Sequence, residues 1–598
     1  MRTLVTILVT AVVLFPLTAG ATIWYVPDNF STIQAGINGI PDGDTLVVRE
    51  GTWYENLDFN GHNVVLASLF LLDGDPAHIE NTIIDGSQSG SVIIFWYGED
   101  STAQVFGFTI QNGHDYEGGG IYCYDSHPVI SNNTISGNHA EWYGGGIFCD
   151  YSNSRISNNT ISGNSSDTEG GGIYCTHSQT LISNNTIIGN TAYDWGGGIC
   201  CWYCWDTTLT IEYNIIMADS AGFGGGIGCW GAHPTISYNI ISGNWAEYNG
   251  GGISGDGNPT ISNNTISGNS AGDAGGGFFC RSGNPTIVNT ILWEDTAPEI
   301  HVTGGSPTVT YCDVQGGWPG TGNIDADPIF VGPEKEDFHL RWHSPCVDAG
   351  DPSLTDPDGT CSDIGAFYFN QDVLGIVELY PHDEPIVIPP GGGSFVHDMW
   401  VFNFFGHPGR ADIWTYAFVP GMGRYGPIDL YRNVRIPADS IGQNNVSQNV
   451  PGPAPAGDYV FVAYVGEYPS TIIDSSYFYF HKEGSAGGGV IGWFDGSEWL
   501  KGSGLRESNL PSDYALSQNY PNPFNATTVI EYTLPVESHV KLQVYNIRGQ
   551  KVATLVDSKQ QAGYRSVNWD ASKVCSGIFF YKLTAGDFTE IKRVMLVK

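Results

Sequence analysis

The stretch from Gly118 to Asn138, "GGGIYCYDSHPVISNNTISGN", is written again from Gly144 to Asn164 as "GGGIFCDYSNSRISNNTISGN". Glycine triplets open at Gly118, Gly144, Gly170, Gly196, Gly224, Gly250 and Gly275. The unit therefore recurs about every 26 residues, and a fixed period of this size marks a solenoid or an array. Each unit holds β-rich runs, "GGIYCY" and "PVISNNTIS" in the first, separated by Gly, Asn, Asp and Ser turns. A unit this short cannot bury a face alone, whereas stacked units bury a continuous one. Equivalent strands then lie parallel and in register, about 4.8 Å apart, as a parallel β-helix. Parallel crossovers favour the right-handed form.

Strand alternation places Ile121 and Cys123 on one face and Tyr122 and Tyr124 on the other. Cys123, Cys149, Cys175, Cys201, Cys229 and Cys280 fall on one line, with Gly255 in the vacant place. A strand spacing of about 4.8 Å exceeds the roughly 3.8 Å Cβ separation of a disulfide, so these read as interior free thiols. Cys200 and Cys204 read as structural, since one CxxC pair supplies too few metal ligands. Asn133, Asn159, Asn185, Asn214, Asn239, Asn264 and Asn289 form an expected amide ladder. Ile135, Ile161, Ile187, Ile216, Ile241, Ile266 and Ile291 form the apolar ladder beside it. Ser31 and Gln34, in capping-box spacing, open an expected helix whose Ile33, Ile37 and Ile40 plug the first coil.

The chain has 598 residues and a formal charge of −39, which excludes nucleic acid as a partner. Between Thr22 and Asn370 the basic residues are Arg49, Arg155, Arg281, Lys335 and Arg341, while the C-terminal part is far richer in them. Residues 1–21 read as a secretory signal peptide, and no later stretch is long enough for a transmembrane span. The β-helix occupies 22–370. Alternating strands with "PPGGG" and "PAPAG" turns make 371–483 a β-sandwich, 484–513 is a Gly/Ser-rich linker, and 514–598 is a second small sandwich. The fold class is all-β: a right-handed parallel β-helix followed by two immunoglobulin-like β-sandwiches.

"YVPDNFSTIQAGINGIPDGDTLVVREGTWYENLDF", the repeated "ISNNTISGN" and "DADPIF…SPCVDAGDP…DIGAF" resemble the secreted right-handed β-helix proteins of the pectin-lyase-like superfamily. "QNYPNPFN", "VYNIRGQKVATL" and "SGIFFYKL" resemble the C-terminal sorting domain of type IX secretion. The second resemblance implies the type IX machinery as a partner. It also implies display on, or release from, a Gram-negative cell.

That superfamily contains polysaccharide lyases and glycoside hydrolases, so acidic-glycan cleavage is the alternative to binding. A lyase needs a basic residue near Ca²⁺, yet the coils offer no Lys and only Arg155 and Arg281. A hydrolase needs paired carboxylates. Asp150, Asp256 and Arg281 are the weak catalytic candidates, and Asp256 with Arg281 also fits a plain surface ion pair. Binding has broader support, because Tyr122, Tyr124, Phe148, Tyr174, Trp202 and Trp230 stack outward on successive coils. Tyr116, Glu117, Trp142, Tyr143, Asp194, Trp195 and Tyr248 stand before the glycines. Aromatics with interspersed carboxylates suit sugar faces and hydroxyls, although strand-favoured aromatics also simply cover backbone. Asp348, Asp351, Asp356, Asp358 and Asp363 surround a glycine as a candidate Ca²⁺ loop, with Asp356, Asp358 and Asp363 its expected ligands. Cys346 and Cys361 are the expected disulfide of an exported protein. The expectation is a secreted surface protein that binds polysaccharide or a cell-envelope glycan, with a passive spacer as the third reading.

Overall fold

The structure, a computed structural model, describes residues 21–484 and 514–596 apart from short interruptions, among them 205–208, 371–374 and 404–408. The expected signal peptide and nearly all of the linker lie outside the described residues. Contacts divide the chain into two compact units, Met1–Asn370 and Gln371–Lys598.

In the first unit the coil beginning at Gly118 sets the pattern. Ile121–Tyr124 forms the cysteine wall, Val129–Ser131 the second, Thr134–Ser136 the third and His139–Tyr143 the fourth. Stacking of successive coils turns these into parallel sheets of ten, twelve, eleven and seven strands respectively. The pairing is strict: Cys123 faces Cys149, Ile130 faces Ile156, and Ile135 faces Ile161. Each corner turns on one left-handed residue, here Asp125, Asn132, Gly137 and Gly144, the residue types that tolerate positive φ. The second glycine of the triplet answers a different demand. A Cβ on Gly145 would sit 2.2 Å from the Ser165 carbonyl oxygen, so the coils leave no room for a side chain there.

The lumen is one continuous core in which columns of isoleucine and cysteine predominate, with Val, Leu and Phe among them, all buried. All eleven described cysteines are free thiols, the column included. Asparagine amides stitch the turns beside it. Asn133 Nδ2 donates to Asn159 Oδ1 at 3.1 Å and to the Val105 carbonyl at 3.0 Å, and Asn159 repeats this on Asn185. A second such column, not anticipated from the sequence, runs through Asn138, Asn164 and Asn190 to Asp219, Asn244, Asn269 and Asp295.

Several expectations need correction. The first helix, Ile33–Gly39, is capped by Thr32, whose hydroxyl accepts from Ala35 N, rather than by Ser31. Gln34 instead bonds the backbone of Asp58, and Glu55 takes the Ile33 and Gln34 amides. Ile33, Ile37 and Ile40 do plug the first coil. At the far end both ladders are one residue out: Thr290 Oγ1 receives the Asn264 amide, and Leu292 faces Ile266. Asn289 holds the left-handed corner, and its side chain serves the terminal segment, bonding Ser362 Oγ and Asp351 N.

That segment accounts for two further corrections. Cys346 and Cys361 do not form a disulfide. The Cys346 thiol donates to Asp313 Oδ2 at 3.2 Å, while Cys361 Sγ lies 3.7 Å from the Gly350 carbonyl. The expected calcium ligands shape turns instead. Asp356 accepts from Asp363 N, Asp358 from Thr360 N and Oγ1, and Asp363 from the amides of Asp348 and Phe369. Among the described residues no three His, Cys, Asp or Glu side chains are grouped to hold a metal.

The second unit is built mainly of antiparallel sheets. A three-stranded and a six-stranded sheet share a core around Leu379, Ile413, Tyr459 and Phe461. In the tail a three-stranded and a four-stranded sheet enclose Ile530, Trp569 and Tyr581. No helix among the described residues is long and apolar enough to cross a membrane.

Asp219 breaks the second ladder. Its Oδ1 accepts from Asn190 N and Nδ2, but its Oδ2 sits buried without a partner, where the asparagines of the ladder have a donating amide. Burial pushes its carboxyl well above the usual range. The folded state thus keeps a proton that the unfolded chain releases above about pH 4, so stability falls as pH rises from there toward the folded value. Asp219→Asn is expected to stabilise the solenoid at neutral pH by on the order of 1–3 kcal/mol. The gain should vanish near pH 4, as thermal unfolding across pH will show.

Candidate functional site

Fold geometry creates a second apolar layer outside the lumen. Each fourth-wall strand runs into the glycine corner and reverses onto the outer face of the cysteine wall, so the two strands face each other across a seam. Along the fourth wall, pairing and backbone hydrogen bonds align Glu117, Tyr143, Glu169, Trp195, Phe223 and Asn249 in one column. Across from it the cysteine wall presents Tyr122, Phe148, Tyr174, Cys200 and Gly228. Sizes match across the gap. Tyr143 stacks on Tyr174 at 4.8 Å, whereas Trp195 shares its apolar cluster with Cys200 and meets Trp230 edge-on at 5.1 Å.

The seam buries residues that the sequence reading placed in solvent. Phe148 is 3% exposed and Tyr174 4%, because the fourth wall covers them, so neither offers a free ring to a ligand. They point away from the lumen as expected, but into a second core. Tyr122 is half-buried and stacks on Phe148 at 5.1 Å. Trp202 and Trp230 are half-buried and stacked on each other at 5.3 Å. Tyr124 lies beside Trp96 and Tyr151.

Exposed rings border the seam on both sides. Tyr116 and Trp142 pair at 5.0 Å on the fourth-wall side, and Trp96 approaches Tyr122 at 5.4 Å on the other. Trp96, Tyr116 and Trp142 are each at least half exposed. At the N-terminal end Ser91, Ile94, Trp96, Asp115, Tyr116, Glu117 and Tyr122 line a cleft of about 190 Å³. Trp96 was missed in the sequence. Its signal was the pairing of Ile93 with Ile121 and Phe95 with Cys123, which puts "IIFWYG" in register with "IYCYDS".

The carboxylates follow the seam. Burial raises Glu117, with Asp150 and Asp115 adding repulsion. Burial pushes Glu169 up to about 7, Asp194 adding to it, and Glu169 too was overlooked in the sequence. The weak catalytic candidates do not converge. Burial raises Asp150, which lies 3.2 Å from His177 Nδ1. Asp256 accepts from Ser282 Oγ. Arg281 does not form the expected ion pair with Asp256. A register shift between Gly255 and Asp256 pairs Asp256 with Ser282, and the Arg281 guanidinium lies 4.4 Å above the Trp230 ring.

Two family models match the chain. Residues 73–296 match the one described as periplasmic copper-binding protein (NosD), and residues 518–598 match the secretion system C-terminal sorting domain. No curated protein matches. Among solved structures, red sea bream transglutaminase is similar at 12% identity over 38% of this chain and 32% of that one, with a TM-score of 0.13. The exo-chitosanase CsxA of Amycolatopsis orientalis is similar at 10% over 33% and 25%, with a TM-score of 0.12. The calcium-binding domain CBD12 of CALX1.1 is similar at 10% over 34% and 78%, with a TM-score of 0.12. The chain thus spans about a third or less of the first two proteins, and likenesses this slight carry no argument. The sorting domain fixes the destination: the protein is exported by the type IX route to the cell surface or the extracellular space.

Burial separates scaffold from surface within the seam. Phe148→Ala should cost about 3 kcal/mol or more by opening a cavity between Tyr122 and Tyr174. Trp142→Ala, on an exposed ring, should cost under about 1 kcal/mol. Denaturant unfolding of the two variants checks the contrast.

Proposed function

We propose that this exported β-helix binds a polysaccharide or cell-envelope glycan along the mouth of its aromatic seam, and that it binds without cleaving. The observation that carries this reading is the set of exposed rings, Trp96 and Tyr116 on one coil and Trp142 on the next, around a carboxylate-lined cleft. Coils repeat about every 4.8 Å, close to the length of one sugar ring, so an extended glycan meets a similar surface at each step. Flat aromatics take the apolar faces of sugars, and neighbouring carboxylates accept their hydroxyls. Asp150, Asp256 and Arg281 are held by separate partners in different coils, which favours binding over turnover.

The copper in the matching family's description does not fit the described residues of this chain. The thiol column lies in a closed lumen, where burial holds Cys123 well above the usual thiol range, burial raises Cys200 likewise in the seam, and copper needs the thiolate.

The reading is tested by titrating the full chain with neutral, acidic and amino-sugar oligosaccharides. Trp96→Ala combined with Trp142→Ala should weaken binding by roughly tenfold or more, each ring contributing about 1 kcal/mol, with little change in melting temperature. Release of shorter oligosaccharides would reverse the choice of binding over cleavage. Failure of every glycan to bind would leave the spacer reading.

Deleting residues 518–598 should stop export and retain a folded solenoid in the periplasm, since the deleted sheets enclose their own core. Fractionation with an antibody to the β-helix measures this.

A further inference from the structure

The seam mixes rings with carboxylates that lack counter-ions, and one place along it shows what such a mixture holds. Near its C-terminal end Arg281 lies 4.4 Å over Trp230, and its charge acts on Asp194, which burial otherwise raises. There the protein fills the seam with its own cation, set on an aromatic face beside a carboxylate. The N-terminal half has the same parts and no such cation. Glu169 is only 8% exposed, and among the described residues no hydrogen bond or ion pair reaches its carboxylate. Tyr143, its strand neighbour, and Tyr174 are stacked on each other beside it. Two coils earlier Glu117 lines the cleft with Trp96 and Tyr122. No Lys or Arg occurs between Arg49 and Arg155, and Arg155 stands exposed on the second wall, away from the fourth-wall and cysteine-wall strands that form the seam.

We propose that the N-terminal half of the seam takes a polysaccharide whose sugars carry free amino groups, its rings along Trp96, Tyr122 and Trp142 and its ammonium groups against Glu117 and Glu169. The inference rests on the glycan-binding reading above and narrows it to a cationic sugar. An ammonium group on an aromatic face beside a half-desolvated carboxylate gains from both. Burial lifts Glu117 and Glu169, and an arriving cation relieves the penalty by restoring their charged forms. The β-helix, with only Arg49, Arg155, Arg281, Lys335 and Arg341 as basic residues between Thr22 and Asn370, disfavours acidic glycans. Spacing favours a sugar over a basic peptide. An extended peptide repeats its side chains on one face about every 6.8 Å, out of step with coils about 4.8 Å apart.

The test is calorimetric titration of the full chain near pH 6, where amino sugars are protonated. The probes are a glucosamine hexamer, an N-acetylglucosamine hexamer, an oligogalacturonate and poly-lysine. The glucosamine hexamer should bind about tenfold or more tighter than its acetylated counterpart, with the difference shrinking as salt is raised. Glu169→Gln should reduce that preference to under about threefold, with cooperative thermal unfolding showing that the solenoid is still folded. Equal affinity for the two hexamers, or tighter oligogalacturonate binding, would overturn the cationic assignment and leave glycan binding standing. No binding of any sugar would overturn both readings. Poly-lysine displacing the glucosamine hexamer at lower concentration would overturn the sugar in favour of a basic peptide. A Glu169→Gln variant that keeps the full preference would overturn the role given to Glu169.

Discussion

One asparagine amide per coil at each of two inner corners sets the terms for the rest of this solenoid. At Asn159 the Nδ2 group donates to the Ile130 carbonyl and to Asn185 Oδ1, while Oδ1 accepts from the Asn133 backbone and side chain. A polar group is thereby satisfied inside an otherwise apolar wall, where leaving it unpaired would cost on the order of 1–3 kcal/mol. The same geometry locks each coil to its neighbours without offset. A one-residue slip would carry isoleucine out of the lumen and bring threonine or serine in. Register is therefore shared down the whole stack, and the columns of cysteine, isoleucine and ring follow from it.

Fixed register has a second consequence at the surface. Because the fourth wall turns back sharply at the glycine corner, the outer face of the cysteine wall is covered and becomes a second core. Through the regular repeats the lumen is filled mainly by isoleucine and cysteine. The seam is filled by aromatics whose sizes vary from coil to coil, with Trp195 near Cys200 and Tyr143 against Tyr174. Rings at the rim extend beyond this packing, and the carboxylates among them are partly desolvated by it. Scaffold and candidate site are thus one construction: the packing that excludes water from Phe148 also raises Glu169.

The ladders also show how the fold tolerates exceptions. Asp219 takes an asparagine's place with one oxygen unpaired, and Thr290 ends the first ladder with a hydroxyl in place of an amide. One further coil, carrying Ile300–Val302, Thr308–Thr310 and Asp313–Val314, stacks beyond it, and Asn289, whose carbonyl accepts from Gly365 N, anchors the terminal segment. The aspartates of that segment, grouped like ligands in the sequence, are spent on backbone amides. A short chain turning repeatedly leaves many amides unpaired, and carboxylates are the nearest acceptors.

The sequence by itself determined the solenoid, its period, the inward column of thiols and isoleucines, and the export tail, because each rests on local repetition or on a contiguous motif. Strand alternation alone separates Cys123 from Tyr122. It gave the direction of Phe148 and Tyr174 but not their burial. Whether an outward ring meets water depends on the fourth-wall strand across the glycine corner folding over it. The slip at Asn289 has a similar cause, since "NNT" and "VNT" look alike until the terminal segment claims the asparagine. Trp96 stands before the regular repeat begins, and Glu169 resembles any surface glutamate until Tyr143 and Tyr174 close around it. Tertiary structure alone decided which rings remain free and which carboxylates lie among them, because burial and charge environment belong to the assembled coils rather than to any single one.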